Sequence, residues 1–292
     1  MQNQVAVVTA STGVGEAELA SVRALFEQSG AIVGVIRQLG DYAAEFPVDM
    51  PDGVALPVVD GLDTNLIPLQ NREKKLLIAD MDSTIIGVEC IDELADFAGV
   101  KPQVAAITER AMLGELDFEG ALIERVALLE GLAETALQQC YEERVRLNPG
   151  AEALVQTMRA RGAMTALVSG GFTFFSSRVG AVAGFAFNNA NQFEIVDGYL
   201  TGKVILPILG RQAKLDTLNR FCAEMQIGQD AVLAIGDGAN DLGMINAAGL
   251  GVAYHAKPAV AEAADVSLNF SDLRAVLALQ GIAEADYVSS SS

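Results

Sequence analysis

Four consecutive apolar residues, Leu76 to Ala79, close on Asp80. Similar runs recur in "AMTALVS" (163–169) and "AVLAIGD" (231–237), closing on Ser169 and Asp237. Apolar runs without polar alternation suit strands buried on both faces of a parallel sheet. Between and around them lie 3.6-residue patterns, "GAEALVQTMRARG" before the second run and "AKLDTLNRFCAEMQ" before the third. Strands alternating with helices predict an α/β fold built on a doubly wound parallel sheet. Sites in such sheets lie beyond the carboxyl ends of the strands, so Asp80, Ser169 and Asp237 should meet on one rim.

Two segments depart from that alternation. "CIDELADFAG", "KPQVAAITERAMLG", "DFEGALIERVALLEG" and "AETALQQCYEERVR" all carry helical spacing between the first and second runs. A crossover that long exceeds what a βαβ unit needs, and it predicts a helical cap over the rim, residues 88–145. At the other end, "QVAVVTA" reads as a strand. "EAELASVRALFEQSG" reads as a helix stopped by Gly30, and "AIVGVIRQL" as a second strand. "EFPVDMPDGVALP" resists assignment. The expectation is a small α+β unit of βαβ type over 1–72, followed by the α/β core at 73–87 and 146–286. Residues 287–292 read as a flexible polar tail.

Composition narrows the function. The 292 residues are 51 % hydrophobic and carry a formal charge of −19. Phosphate backbones and anionic membranes are bound through clustered Lys and Arg, and no such run exists, so neither is expected as a partner. The cysteines, Cys90, Cys140 and Cys222, are too scattered for a disulfide framework or a zinc site and fit a reducing cytoplasm. The N-terminus lacks a signal-peptide pattern, and no uncharged stretch is long enough to span a bilayer.

Several chemistries are missing. There is no P-loop and no GxGxxG fingerprint, and "LVSGG" lacks the first Gly of a nucleophile elbow. The single His255 leaves little for a triad or an imidazole metal site and reads as a loop residue. Carboxylates remain: Asp80, Asp82 and Asp237 at strand ends, with Asp241 in "GDGANDLGMI". Gly236 and Gly238 leave room for a tight backbone there, and Asn240 offers an amide. Clustered oxygens suit Mg²⁺, a hard cation that takes carboxylates, waters and phosphate. The bland alternative is that each Asp merely caps a turn, which three acids on one rim make less economical.

"DMDST", "VSGGF", Lys214 and "GDGANDLGMI" stand in the order of the four motifs of the haloacid dehalogenase-like superfamily, which the chain resembles over about residues 74–280. The cap segment "ERAMLGELDFEGALIERVALL" is similar to that of the phosphoserine phosphatases within it. The resemblance implies a Rossmann-type core and an Mg²⁺-dependent phosphomonoesterase acting on a small molecule. The reaction would take O-phospho-L-serine to serine and phosphate, the last step of serine biosynthesis. It implies Asp80 as nucleophile and Asp82 as acid and base, with metal held by Asp80, Asp82 (through its carbonyl), Asp237 and Asp241. Ser169, Gly170, Lys214 and Asn240 would hold phosphate. Glu89, Met112, Phe118 and Arg125 would select the substrate. Read as ordinary residues, Arg125 is a surface ion pair with Glu124 or Glu130, and Met112 and Phe118 are cap core. A related phosphatase or phosphotransferase acting on another small phosphorylated amino or hydroxy acid, such as phosphohomoserine or phosphothreonine, is the alternative, and a non-catalytic regulatory binding protein the alternative class. The N-terminal segment resembles a shortened ACT-type domain, for which no ligand is expected; it could mediate a homodimer.

Overall fold

The computed structural model describes residues 3–51, 53–112 and 115–288. The chain begins with β1 (Gln4–Thr9), α1 (Glu16–Gln28), β2 (Ile32–Val33), β3 (Arg37–Gly40), β4 (Ala43–Asp49) and β5 (Asp63–Pro68). The first core strand is β6 (Leu76–Ala79). The helices α2 (Cys90–Phe97), α3 (Lys101–Met112), α4 (Phe118–Ala127) and α5 (Glu134–Arg144) follow as the expected insertion. Then come α6 (Ala151–Ala160), β7 (Met164–Phe172), α7 (Thr173–Ala183), β8 (Phe187–Val196) and β9 (Tyr199–Ile205). The chain finishes with α8 (Arg211–Met225), β10 (Val232–Gly236), α9 (Leu242–Ala247), β11 (Leu250–Tyr254), α10 (Pro258–Ala263), β12 (Val266–Leu268) and α11 (Ala275–Leu279).

The larger sheet has the order β12-β11-β10-β6-β7-β8-β9 and is parallel except for β9. Its central strand β6 sends Leu77 and Ala79 into one core and Leu76 and Ile78 into another, which is why its apolar run has no polar gaps. From β6 the chain steps to β7 on one side and later to β10 on the other. The strand order therefore reverses at β6, and the crevice beyond Ala79 is where such sheets bind ligands.

The strand β9 folds back on β8 through Asp197 and Gly198, both at positive φ (51° and 81°), the backbone of a tight two-residue hairpin. This hairpin supports the inserted helices. Gly131 N–H donates to the Leu200 carbonyl at 2.8 Å, and Glu134 N–H to that of Gly198 at 2.8 Å.

The N-terminal sheet corrects two expectations. It is not a simple βαβ unit, because β4 lies between β1 and β2 and runs antiparallel to both. The result is a split βαβ. The second correction concerns "EFPVDMP": Ala43–Asp49, thought irregular, is the strand at the heart of this sheet. Pro47 is tolerated there because its carbonyl side faces the gap between β2 and β3, where Gly34 N–H reaches it at 2.7 Å. Its missing N–H would have faced Gly34, so the β2–β4 ladder stops there. The stretch read as one strand, 31–39, is broken in two by that gap.

One face of this sheet packs α1 through Phe26, Phe46 and Val22. The other contributes Val5, Val7, Ala43 and Ile67 to the same apolar cluster as β6 and α11. The seam is completed by Asp63, buried on β5, whose carboxylate accepts the backbone N–H of Asn269, Phe270 and Ser271 at 2.8, 3.0 and 2.9 Å. Asp63→Ala strands these three donors at a buried seam. It should destabilise the protein by about 3 kcal/mol, read as a lowered urea midpoint with an unchanged m-value. A change under about 0.5 kcal/mol would show that the seam carries little.

Candidate active site

Asp80 leaves the end of β6 at the crevice, with its N–H bonded to the Ile235 carbonyl at 3.0 Å. The chain then makes one wide turn, Met81–Ile85, closed by Ile86 N–H on the Met81 carbonyl at 3.0 Å. Ser83 takes a left-handed conformation (φ 57°) within it. That turn separates two carboxylates that an extended strand would have aimed the same way.

Asp80 Oδ1 accepts from Met81 N–H at 2.8 Å and pairs with Lys214 Nζ at 2.7 Å. Asp82 faces away from that pair. Its Oδ1 accepts the Cys90 N–H at the start of α2 at 2.9 Å, and its Oδ2 accepts the Ser169 hydroxyl at 3.1 Å. Both acids are nearly out of solvent, at 5 % and 9 % exposure.

Lys214, in the first turns of α8, is wholly buried and also bonds Asp241 Oδ1 at 2.5 Å. Burial opposes its charge, yet Asp241 and Asp80 outweigh that and hold its pKa above the usual lysine range. Asp241 is fixed further by Gly238 N–H at 3.0 Å, and Thr84 Oγ1 donates to Asp237 at 3.2 Å. Carboxylate oxygens of Asp80, Asp237 and Asp241 lie within 4.8 Å of one another. The Asp82 carboxylate is not in that group, which leaves its carbonyl as the atom it could offer a metal. Three carboxylates against one ammonium, with no imidazole or thiolate, form a hard-oxygen set that fits Mg²⁺ and not zinc.

Glycines make the convergence possible through space, since Gly170, Gly171, Gly236 and Gly238 all have negative φ or extended backbone. A Cβ on Gly171 would stand 2.6 Å from Asp82 Oδ2 and 3.0 Å from the Ser169 hydroxyl. One on Gly170 would meet the Phe118 ring at 2.8 Å. One on Gly236 would collide with Asp241, and one on Gly238 with the Asn240 carboxamide. Phe118, at the start of α4, thus reaches down from the inserted helices onto the last residues of β7.

Glu89, which precedes α2, accepts the Ser83 hydroxyl at 2.7 Å. Its side chain opens to solvent, yet the protein crowded around it and the charge of Asp80 raise its pKa. Arg125 is half-buried and donates Nε to the Ala121 carbonyl at 3.2 Å. It makes no ion pair among the described residues, because Glu124 is taken by Arg110 at 2.8 Å. Burial lowers its pKa, opposed by the charges of Asp92, Glu89 and Asp82. Met112 ends α3, and its side chain lies outside the described residues. His255 stacks edge-on against Tyr254, and no bond ties it to these acids.

The sequence profile of the haloacid dehalogenase-like hydrolases matches residues 77–246, which hold the clustered acids, Ser169, Lys214, Glu89, Phe118 and Arg125 but not His255. The chain belongs to that family. The phosphoserine phosphatase of Polaromonas sp. (strain JS666) is 46 % identical over 216 residues, covering 72 % of this chain and 92 % of the relative. An unliganded "probable phosphoserine phosphatase from vibrio cholerae" superposes with a TM-score of 0.79 at 34 % identity, over 98 % of this chain and 88 % of that one. A "phospho-aspartyl intermediate analogue of phosphoserine phosphatase" superposes with a TM-score of 0.66 at 38 % identity, over 70 % and 98 %.

Within this haloacid dehalogenase-like site, sequence reasoning passed over Ser83, Thr84, Gly171 and Asn191. Ser83 and Thr84 lie inside the quoted "DMDST" and carried a signal. Asn191 carried none, because its partners are far along the chain. No described helix is long and apolar enough to cross a membrane.

The buried acids also set a pH dependence. Burial raises Asp82 to about 7 (with Glu89 and Asp80 adding), Asp241 to about 7 and Asp237 to about 6. The folded state therefore holds more protons than the unfolded one between 3.8 and about 7. Stability should fall as pH rises through that window in metal-free protein. The urea midpoint in EDTA is expected to drop from about pH 5 to about pH 8, and Asp241→Asn should flatten the slope. A midpoint that rises over this range would contradict the assignment.

Proposed function

We propose that the chain hydrolyses O-phospho-L-serine to L-serine and phosphate through a phosphorylated Asp80. The observation that carries this reading is the division of partners between two acids one residue apart. Asp80 is fixed beside a cation and can attack; Asp82 is buried beside a hydroxyl and can hold a proton. The names of the Polaromonas relative and of the phospho-aspartyl structure point the same way.

In the first half-reaction an Asp80 carboxylate oxygen forms a bond to phosphorus while the bond to the serine oxygen breaks. The Asp82 carboxyl gives its proton to that leaving oxygen, which its raised pKa permits near neutrality. In the second, Asp82, now a carboxylate, takes a proton from water as the water oxygen bonds phosphorus and the Asp80 oxygen leaves. Lys214 offsets charge on the transferring group throughout, and Ser169, the Gly170 N–H and Asn240 hold its oxygens. Mg²⁺ held by Asp80, Asp237, Asp241 and the Asp82 carbonyl would neutralise phosphate charge and align it with Asp80.

Selection belongs to the inserted helices. Glu89 suits the substrate ammonium, and the fork of Arg125, unclaimed by a neighbouring acid, suits its carboxylate. Phe118 shuts the cleft over the phosphate turn, with Met112 assigned beside it by resemblance. We take residues 73–87 and 146–286 as the catalytic unit and 88–145 as its cap.

Asp80→Asn should lower kcat by at least roughly 10³-fold while circular dichroism and unfolding midpoint stay near the parent's. Against a panel of phosphomonoesters, phosphoserine should give the highest kcat/KM. Preference for phosphothreonine, or turnover that survives Asp80→Asn, would overturn the respective part of the reading.

A further inference from the structure

Asn191 on β8 is 2 % exposed, and its carboxamide is fully engaged. Nδ2 donates to the Gly170 carbonyl at 2.8 Å and to the Leu209 carbonyl at 3.2 Å, while Oδ1 accepts the Leu209 N–H at 2.7 Å. Both donors and an acceptor lone pair are used.

The ladder explains why a side chain is needed here. β7 and β8 pair regularly through Val168 and Asn189, then slip, and pairing resumes only at Phe172 with Asn191. Ser169, Gly170 and Gly171 are released from the sheet within that slip. The released Gly170 carbonyl is half-buried and needs another partner, and Asn191 supplies it. The Gly170 carbonyl it holds belongs to the same peptide plane as the Gly171 N–H. That N–H donates to the Ser169 hydroxyl oxygen at 2.8 Å, which frees the hydroxyl hydrogen to point at Asp82 or a bound anion.

On its other side Asn191 clasps Leu209, directly ahead of α8. Gly210 precedes α8 where a Cβ would come within 3.3 Å of the Phe118 ring, and Lys214 sits one turn further on. One carboxamide therefore braces two segments, the one that carries Ser169 and the one that leads into Lys214. We propose that Asn191 is a positioning residue that fixes the separation of Ser169 and Lys214, and with it the width of the phosphate cradle. This rests on the reading that those two residues hold the phosphoryl group, and it places phosphate affinity, not recognition of the amino acid, under Asn191's control.

The test is Asn191→Asp, close in size but presenting an oxygen to two carbonyls. Phosphoserine and p-nitrophenyl phosphate, which lacks ammonium and carboxylate, should both lose kcat/KM by roughly 10²-fold. The inhibition constant of inorganic phosphate should rise roughly ten-fold. Because Asn191 acts through Ser169, adding Asn191→Asp to Ser169→Ala should cost less than it does alone. A folded variant with the parent's constants, or losses that add in full, would overturn the proposal. Should Asn191→Asp not fold, Asn191→Ser keeps one donor. It should show the same pattern at roughly ten-fold, and parental constants in it would equally sink the idea. If the parent enzyme prefers another ester to phosphoserine, the substrate reading fails while the p-nitrophenyl phosphate arm still decides the role of Asn191.

Discussion

Lys214 is a wholly buried ammonium lodged between Asp80 and Asp241, and much of the site's arrangement follows from it. An uncompensated charge in such a place would neutralise itself. Here Asp241 and Asp80 hold the ammonium charged, and the same ammonium fixes Asp80 Oδ1 at 2.7 Å. The same crowding of acids disfavours charge on Asp237 and Asp241, which a further cation or a bound proton would relieve. Asp82 escapes the cluster because the turn at Ser83 hands it to Ser169 and to the first amide of α2. The charge that fixes Asp80 and the burial that protonates Asp82 thus come from different neighbours.

Space is the second constraint. Two glycines after Ser169 admit Asp82 from below and Phe118 from above. The inserted helices and the end of β7 can therefore meet at van der Waals distance over the cleft. The β8–β9 hairpin holds those helices at the height this closure requires. Access of water, and hence the raised pKa of Asp82, depends on elements that contribute no chemical group themselves.

The N-terminal sheet is joined to the α/β core by apolar contact and by Asp63, so its strands share one interior with β6. Glu45 extends the seam. It is buried between Arg72 at 2.8 Å and Arg37, and Arg72 continues to the carbonyls of Leu279 and Ala278. Fully satisfied polar groups on a buried seam favour one relative placement over slippage.

The sequence alone determined which strands are buried and that Asp80 and Asp237 close two of them, although β7 runs on past Ser169 to Phe172. An uninterrupted apolar run closing on Asp, or on Ser with Gly after it, is a local signal, and parallel topology carries those ends to one rim whatever the details. It also determined the inserted helices, whose 3.6-residue spacing is local, and through motif order the family. Local periodicity could not reveal β4, because Pro47 is acceptable only where β2 and β3 leave a gap. The Asp197–Gly198 turn was legible and passed over. Tertiary structure alone decided the partners: Asp80 with Lys214, Asp82 with Ser169, Asp63 with the 269–271 amides, Asn191 with Gly170 and Leu209. Charge pairing and close approach join residues whose separation along the chain carries no trace of their separation in space. The sequence could therefore name the carboxylates, while only the folded chain could say which one is neutralised by a lysine and which one is left to hold a proton.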